Sequence, residues 1–250
     1  MRLYDFRTEY RENPIGLTEK APRFSWKIES DEKDTVQTSY EIKVTDENGK
    51  LVWDSGKKIS DQSVLISYEG EALADETFYT VEVTVADNHG NVESKEGSFE
   101  TGIFDQTEFK AQMITSDFSE EETACPVFGK TFALSKKVKK ARLYATAHGV
   151  YEVTLNGKTV GDYNRLQYQI YDVTEQLAAE NEIAIAVGNG WYKGILGFYC
   201  LPNQYGTRAG AFAELHVEYE DGSKDVIATD ETWSVKTGEI RYSEIYMGET

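Results

Sequence analysis

The chain has 250 residues, long enough for one large or two ordinary domains, and 40% of them are apolar. Sixteen tyrosines against four prolines argue against a disordered chain. Forty-four acidic against twenty-six basic residues give a formal net charge of −18, which repels phosphate backbones and anionic lipid and argues against nucleic acid or a membrane as partner; the acidity itself reads as a solvated surface.

The opening residues, Arg2 to Arg7, contain no apolar export segment, and no run approaches the length of a membrane span, so the default setting is cytoplasmic. From Arg23 onward, short segments alternate apolar and polar residues between turn signals, the pattern of a β-sandwich. Phe24 and Trp26 alternate with Ser25 and Lys27. Tyr40, Ile42 and Val44 alternate with Glu41, Lys43 and Thr45, and the turn Glu47-Asn48-Gly49-Lys50 leads into Leu51, Val52 and Trp53. Strands are predicted over 23–28, 39–46, 51–55, 64–67, 78–87 and 96–101. With no sustained helical period beside them, they predict an immunoglobulin-like or fibronectin type III sandwich over residues 1–103.

A short polar junction opens the second half, residues 104–250. Strands are predicted at 127–134, 143–148, 150–155, 158–160, 166–172, 183–187 and 213–219, continuing through Val226, Ala228, Trp233 and Val235. Asn156-Gly157 is the strongest hairpin turn in the chain. Residues 174–179 suit one or two helical turns, with Asp172 or Thr174 as N-cap. This half predicts a jelly-roll-like β-sandwich with one short helix, so the fold class is all-β, two sandwiches in series.

Chemistry is sparse. His89, His148 and His216 stand apart from one another and from Cys125 and Cys200, so no metal spacing exists and no metal or cofactor is expected. Two cysteines are too few for a disulfide framework. No nucleophile elbow or phosphate loop occurs; Gly188-Asn189-Gly190 stops at the first two glycines of a dinucleotide fingerprint. Glu214 and Glu218 read as surface charges, and no catalytic residue is assigned.

The densest chemistry follows the strand at 183–187. Residues 188–198, Gly-Asn-Gly-Trp-Tyr-Lys-Gly-Ile-Leu-Gly-Phe, combine four glycines with large aromatics and a lysine. Trp191, Tyr192, Lys193, Tyr205 and Arg208 supply aromatic faces beside hydrogen-bonding groups, which is what a sugar needs, and these five are the candidate carbohydrate contacts. Packing explains the same residues, with Trp191 anchoring the second sandwich.

Several stretches, in order, resemble the N-terminal, non-catalytic region of bacterial alpha-L-rhamnosidases. They are Glu12-Asn13-Pro14-Ile15-Gly16 with Pro22-Arg23-Phe24-Ser25-Trp26; Trp53-Asp54-Ser55-Gly56-Lys57 with Ser60-Asp61-Gln62-Ser63; Gly149-Val150-Tyr151-Glu152 through Leu155-Asn156-Gly157-Lys158 and Val160-Gly161-Asp162; Gln167-Tyr168-Gln169-Ile170-Tyr171-Asp172-Val173-Thr174; and the loop at 188–198. The resemblance implies that a catalytic (α/α)6 barrel, the partner of these β-domains, hydrolyses terminal alpha-L-rhamnosides with inversion and lies outside this chain. It implies an accessory piece, silent alone, that is a fragment or truncated product and borders rhamnose-containing glycans. A free-standing carbohydrate-binding module and an immunoglobulin-like interaction protein are the alternatives. One departure stands out: between Asp162 and Tyr163 the family carries a longer excursion, whereas here the chain turns directly into the next strand.

Overall fold

The computed structural model describes residues 1–119, 121–163 and 168–250 and divides the chain into two compact units, Met1–Glu108 and Phe109–Thr250. The turn that follows Asp162 and the first two positions of the strand predicted at 166–172 lie outside the described residues. Both units are built from antiparallel strands with apolar residues facing inward, as the alternation predicts.

The first unit contains β1 (Arg2–Thr8), β2 (Arg23–Glu29), β3 (Gln37–Asp46), β4 (Leu51–Asp54), β5 (Lys58–Ile59), β6 (Ile66–Ser67), β7 (Phe78–Asp87) and β8 (Val92–Glu100). One sheet has the order β1-β2-β6; the other runs β4-β3-β7-β8, with β5 also on β3. Sequence alternation misses β1 because a register shift between Tyr4 and Arg7, with Asp5 at φ 50°, lets Leu3 and Phe6 both face the core. It also misses the start of β8, whose first residues are all exposed and are strand only because they pair with β7.

Phe24 is fully buried among the rings of Phe6, Trp53 and Phe99. Trp26 places its indole N–H on the Gln37 side-chain oxygen at 2.9 Å, and Gln37 in turn donates to the carbonyls of Ser60 and Gln62 at 3.1 and 2.7 Å. That polar chain ties the buried Trp26 to the segment after β5. The outer edge of β8 is covered where it ends. Ser98 N donates to the Asn13 side chain, Glu100 N to the Pro14 carbonyl, Leu17 N to the Glu100 carbonyl and Gly102 N to the Leu17 carbonyl.

The second unit contains β9 (Ile114–Thr115), β10 (Pro126–Ala133), β11 (Val138–His148), β12 (Val150–Leu155), β13 (Lys158–Tyr163), β14 (Gln169–Asp172), β15 (Glu180–Gly188), α1 (Gly190–Lys193), β16 (Gly210–Tyr219), β17 (Lys224–Ala228), β18 (Ser234–Thr237), β19 (Ser243–Glu244) and β20 (Gly248–Glu249). Its sheets have the orders β13-β12-β15-β10-β18 and β14-β11-β16-β17, with β9 beside β16, and β19 and β20 form a small hairpin of their own. Leu143, Ala145, Ala147, Leu215 and Val217 from one sheet meet Val153, Leu155, Ile183, Ile185 and Val187 from the other. The turn between β12 and β13 is the one expected: Asn156 and Gly157 take φ 54° and 73°, as a type I′ hairpin demands. The Asn156 side chain also holds Gln176, Asn181 and Glu182 around it.

Three expectations are corrected. The helix expected at 174–179 is a single 3-10 turn over Thr174–Gln176, where Asp172 accepts from the Thr174 N–H and hydroxyl and Leu177 is already extended. The α-helix is α1, one turn long, inside the glycine-rich loop. Glu214 is not a surface charge but 1% exposed. It sits on the outer face of β16, and residues 109–112 lie over that face, with Phe109 packed on Tyr144 and Phe212. The Glu214 carboxylate is compensated there by the N–H groups of Lys110 and Ala111 at 2.7 and 2.6 Å and by His216 Nε2 at 2.7 Å. Glu218, the other residue read as a surface charge, pairs with Lys139 at 2.6 Å.

Candidate functional site

The glycine-rich loop leaves β15 at Gly188, makes the single turn of α1 and then folds back on itself. Asn203 N donates to the Lys193 carbonyl, Tyr205 N to the Tyr192 carbonyl, and Leu196 N to the Leu201 carbonyl. Residues 196–205 are thereby carried beside 192–196 rather than extended into solvent.

A second segment completes the site, and sequence reading missed it. The hairpin β19–β20 reaches the loop through Glu244, which is 3% exposed and receives the Ile195 N–H on both carboxylate oxygens, at 2.8 and 2.9 Å. Gly194 is what permits the approach, since a methyl group there would collide with the Glu244 carboxylate and with the Gly190 carbonyl. Two residues beyond the clasp, Tyr246 sets its ring edge-on to Trp191, with centroids 5.7 Å apart and planes at 77°. The sequence signal for this segment was weak: two strands of two residues each have no period to read.

The five candidate carbohydrate contacts are placed in three environments. Trp191 is 37% exposed against Tyr246 and does not anchor the core; the core of this unit is built by Phe128, Leu143, Leu155 and their neighbours without it. The one-turn helix lifts its ring off the sandwich. Tyr192 lies flat on His148, with ring centroids 4.2 Å apart and planes at 10°, and a side chain at position 206 would collide with its ring. Burial holds the His148 imidazole below its ordinary pKa. Lys193 and Arg208 line a narrow cleft of about 20 Å³ with Ser116, Phe118 and Glu122, room for one water. Arg208 donates to the carbonyls of Ser116 and Phe118 at 2.8 and 3.3 Å, and the Lys193 ammonium lies 3.5 Å from the Glu122 carbonyl. Tyr205 stands exposed at the end of the loop.

Beside the hairpin opens a larger cleft of about 520 Å³, between the outer face of β12 and β15 and the strands β19 and β20. Its walls include Glu152, Gly188, Ser243 and Glu249, with the buried Cys125 at its base. Burial pushes the Cys125 thiol above its ordinary pKa, so it stays protonated. Among the described residues, no three His, Cys, Asp or Glu side chains are disposed to hold a metal ion.

Comparison with known families decides the relationship. Residues 3–105 match the family described as Rha78A-like, N-terminal immunoglobulin domain, and residues 136–250 match the alpha-L-rhamnosidase N-terminal domain. The chain belongs to the N-terminal region of the alpha-L-rhamnosidase family. An alpha-L-rhamnosidase of Formosa agariphila is 34% identical over 266 residues, which is 95% of this chain but 29% of that protein. The structure of native alfa-L-rhamnosidase from Aspergillus terreus matches with a TM-score of 0.90 and 31% identity, covering 99% of this chain and 31% of that one. That of alpha-L-rhamnosidase from Dictyoglumus thermophilum matches with a TM-score of 0.84 and 30% identity over the same shares. The chain thus spans less than a third of each of these three rhamnosidases.

Within this rhamnosidase region, the motifs of the first unit are structural. In Asp54-Ser55-Gly56 the Asp54 carboxylate accepts the Gly56 N–H at 2.8 Å, and the Ser55 hydroxyl accepts the Ile42 N–H at 2.8 Å and donates to the Gly56 carbonyl. The 188–198 motif of the rhamnosidase N-terminal domain is different in kind, because two of its rings, Trp191 and Phe198, face outward.

Proposed function

We propose that this chain is the accessory N-terminal β-region of an alpha-L-rhamnosidase, inactive by itself, with its second sandwich supporting a catalytic (α/α)6 barrel that cleaves terminal alpha-L-rhamnosides. The observation that carries the reading is the unbroken order of the two domain matches, over a chain that is 29% of its Formosa agariphila relative. A cytoplasmic setting and a jelly-roll path for the second unit belong to the same reading; the free thiols of Cys125 and Cys200 suit the former.

The test replaces the matched N-terminal region of the Formosa agariphila enzyme with residues 1–250. The chimera is expected to hydrolyse an aryl alpha-L-rhamnoside, the free chain is not, and turnover by the free chain that disappears on mutating one of its own acids would sink the reading. A second reading, that Trp191 and Tyr205 contact rhamnose-containing glycans with Tyr192, Lys193 and Arg208 behind them, is favoured by the exposure of those two rings. Calorimetric titration with L-rhamnose, comparing the native chain with Trp191→Ala, decides it: no heat from either protein removes sugar contact.

A further inference from the structure

The second unit gathers exposed large apolar side chains on the loop and the hairpin. Phe198 is 95% exposed, Tyr199 82%, Tyr205 65%, Met247 65% and Tyr246 57%. Singly exposed apolar residues need no explanation, but a contiguous group of them marks an interaction surface. Loop and hairpin are joined by the bonds already described, the loop being doubled back by its own backbone and Trp191 meeting Tyr246 across the Glu244 clasp; farther along the loop Phe198 and Tyr199 pack edge-to-face. The surface is therefore held in shape before any partner arrives, which lowers the entropic cost of binding.

We propose that this loop-and-hairpin face is a protein-docking surface whose occupant is the catalytic portion of the rhamnosidase polypeptide, and that the occupant seats an apolar ridge on Trp191, Tyr246 and Met247 and a basic side chain in the cleft between Glu152 and Glu249. This rests on the rhamnosidase reading above. A protein fits better than a sugar for two reasons. A sugar platform requires polar side chains converging beside the aromatic face, yet Lys193 and Arg208 are turned toward the carbonyls of Glu122, Ser116 and Phe118. Aromatic residues with methionine, rimmed by charge, make the composition of interface centres. The size and sign of the neighbouring cleft select the anchor: it is continuous with the hairpin through Ser243 and Glu249, it bears two carboxylates, and a guanidinium matches a carboxylate with paired hydrogen bonds. The relatives supply the occupant, because more than two thirds of their length lies outside the part this chain matches.

Hydrogen exchange read by mass spectrometry, on the free chain and on the chimera described above, tests the surface. Peptides covering 190–205 and 243–249 are expected to exchange about tenfold or more slowly in the chimera, while those covering 37–46 and 78–87 exchange alike in both. Equal exchange at 190–205 and 243–249 overturns the docking proposal even if the chimera turns over substrate; protection without turnover upholds docking and counts against the functional reading alone. A dimer of the free chain that protects the same peptides would make a second copy the occupant and overturn the proposal too. A second measurement does not depend on the chimera folding. Titrating the isotope-labelled free chain with N-acetyl-arginine amide should give saturable amide shifts at Gly188, Ser243 and Glu249, absent with N-acetyl-glutamine amide and lost in the Glu152→Gln, Glu249→Gln double variant. No such shifts, or shifts of the same amides with L-rhamnose instead, would refute the basic anchor.

Discussion

The two units use the same materials, aromatic rings beside glycines and short polar side chains, to opposite ends. In the first, Trp26 and Phe24 are sealed in the core, and Gln37, the polar partner of Trp26, is satisfied within the unit. In the second, the rings of the glycine-rich loop and the hairpin lie outside the core, which Phe128, Tyr151 and their aliphatic neighbours fill without them, and the loop is braced by one buried carboxylate, Glu244. The difference teaches that an aromatic-rich motif states a need for burial without saying where the covering surface comes from.

Substitution sharpens this contrast most strongly. Trp26→Ala is expected to destabilise the first unit by about 3–5 kcal/mol, combining a large cavity with loss of the Gln37 bond, whereas Trp191→Ala should cost the second unit about 1 kcal/mol or less. Chemical denaturation of both variants measures this, and equal losses would erase the distinction between sealed and outward rings. Next in size, Glu244→Ala leaves the half-buried Ile195 N–H without its acceptor, an expected cost of about 1–3 kcal/mol. Its signature is local: the Trp191 emission should shift as Tyr246 leaves, and faster exchange should be confined to 190–205 and 243–249.

Alkaline pH treats the units alike and so provides a control. Burial, and for Tyr219 also its bond to Asp225, pushes the hydroxyls of Tyr68 and Tyr219 up to about 12, one in each unit. The folded state keeps these protons above the ordinary value of 10, so it binds more protons than the unfolded chain there, and stability falls as pH rises from about 10 to about 12. Tyr219→Phe should flatten that slope for the second unit only. On the acid side His148, held neutral by burial against Tyr192, gives a smaller effect of the other sense. Stability present above the ordinary histidine value of 6.5 is lost as pH falls below it, because only the unfolded chain readily takes the proton. His148→Gln should remove that loss. Least perturbing is thiol labelling: exposed Cys200 should alkylate at once and buried Cys125 only when the second unit opens, so its rate reports the stability of that unit.

What could be read from sequence follows from how far each signal reaches. The Asn156-Gly157 turn and the alternating strands β3, β7 and β16 are encoded within a few residues and stand as expected. The bulge at Asp5 hides β1 because a period of two cannot survive an inserted residue. Glu214 looked like a surface charge because the segment that buries it, 109–112, lies about a hundred positions away along the chain. For the same reason the five candidate contacts suggested one cluster. Their proximity in sequence says nothing of the one-turn helix that sends Trp191 toward Tyr246, or of the carbonyls that occupy Arg208. Glu244 was illegible since the partner that gives it meaning is a backbone N–H.

The strip of chain from Asn13 to Leu17, laid along the far end of β8, has a further consequence. It occupies the groups at Ser98, Glu100 and Gly102 that an incoming strand would use, and the uncovered start of β8 carries Glu93, Lys95 and Glu96 instead. The larger sheet of the first unit therefore resists growth by strand addition at this border. Removing the strip from Asn13 to Leu17 would leave those backbone groups open, so part of the opening signature of the chain serves as an edge cover.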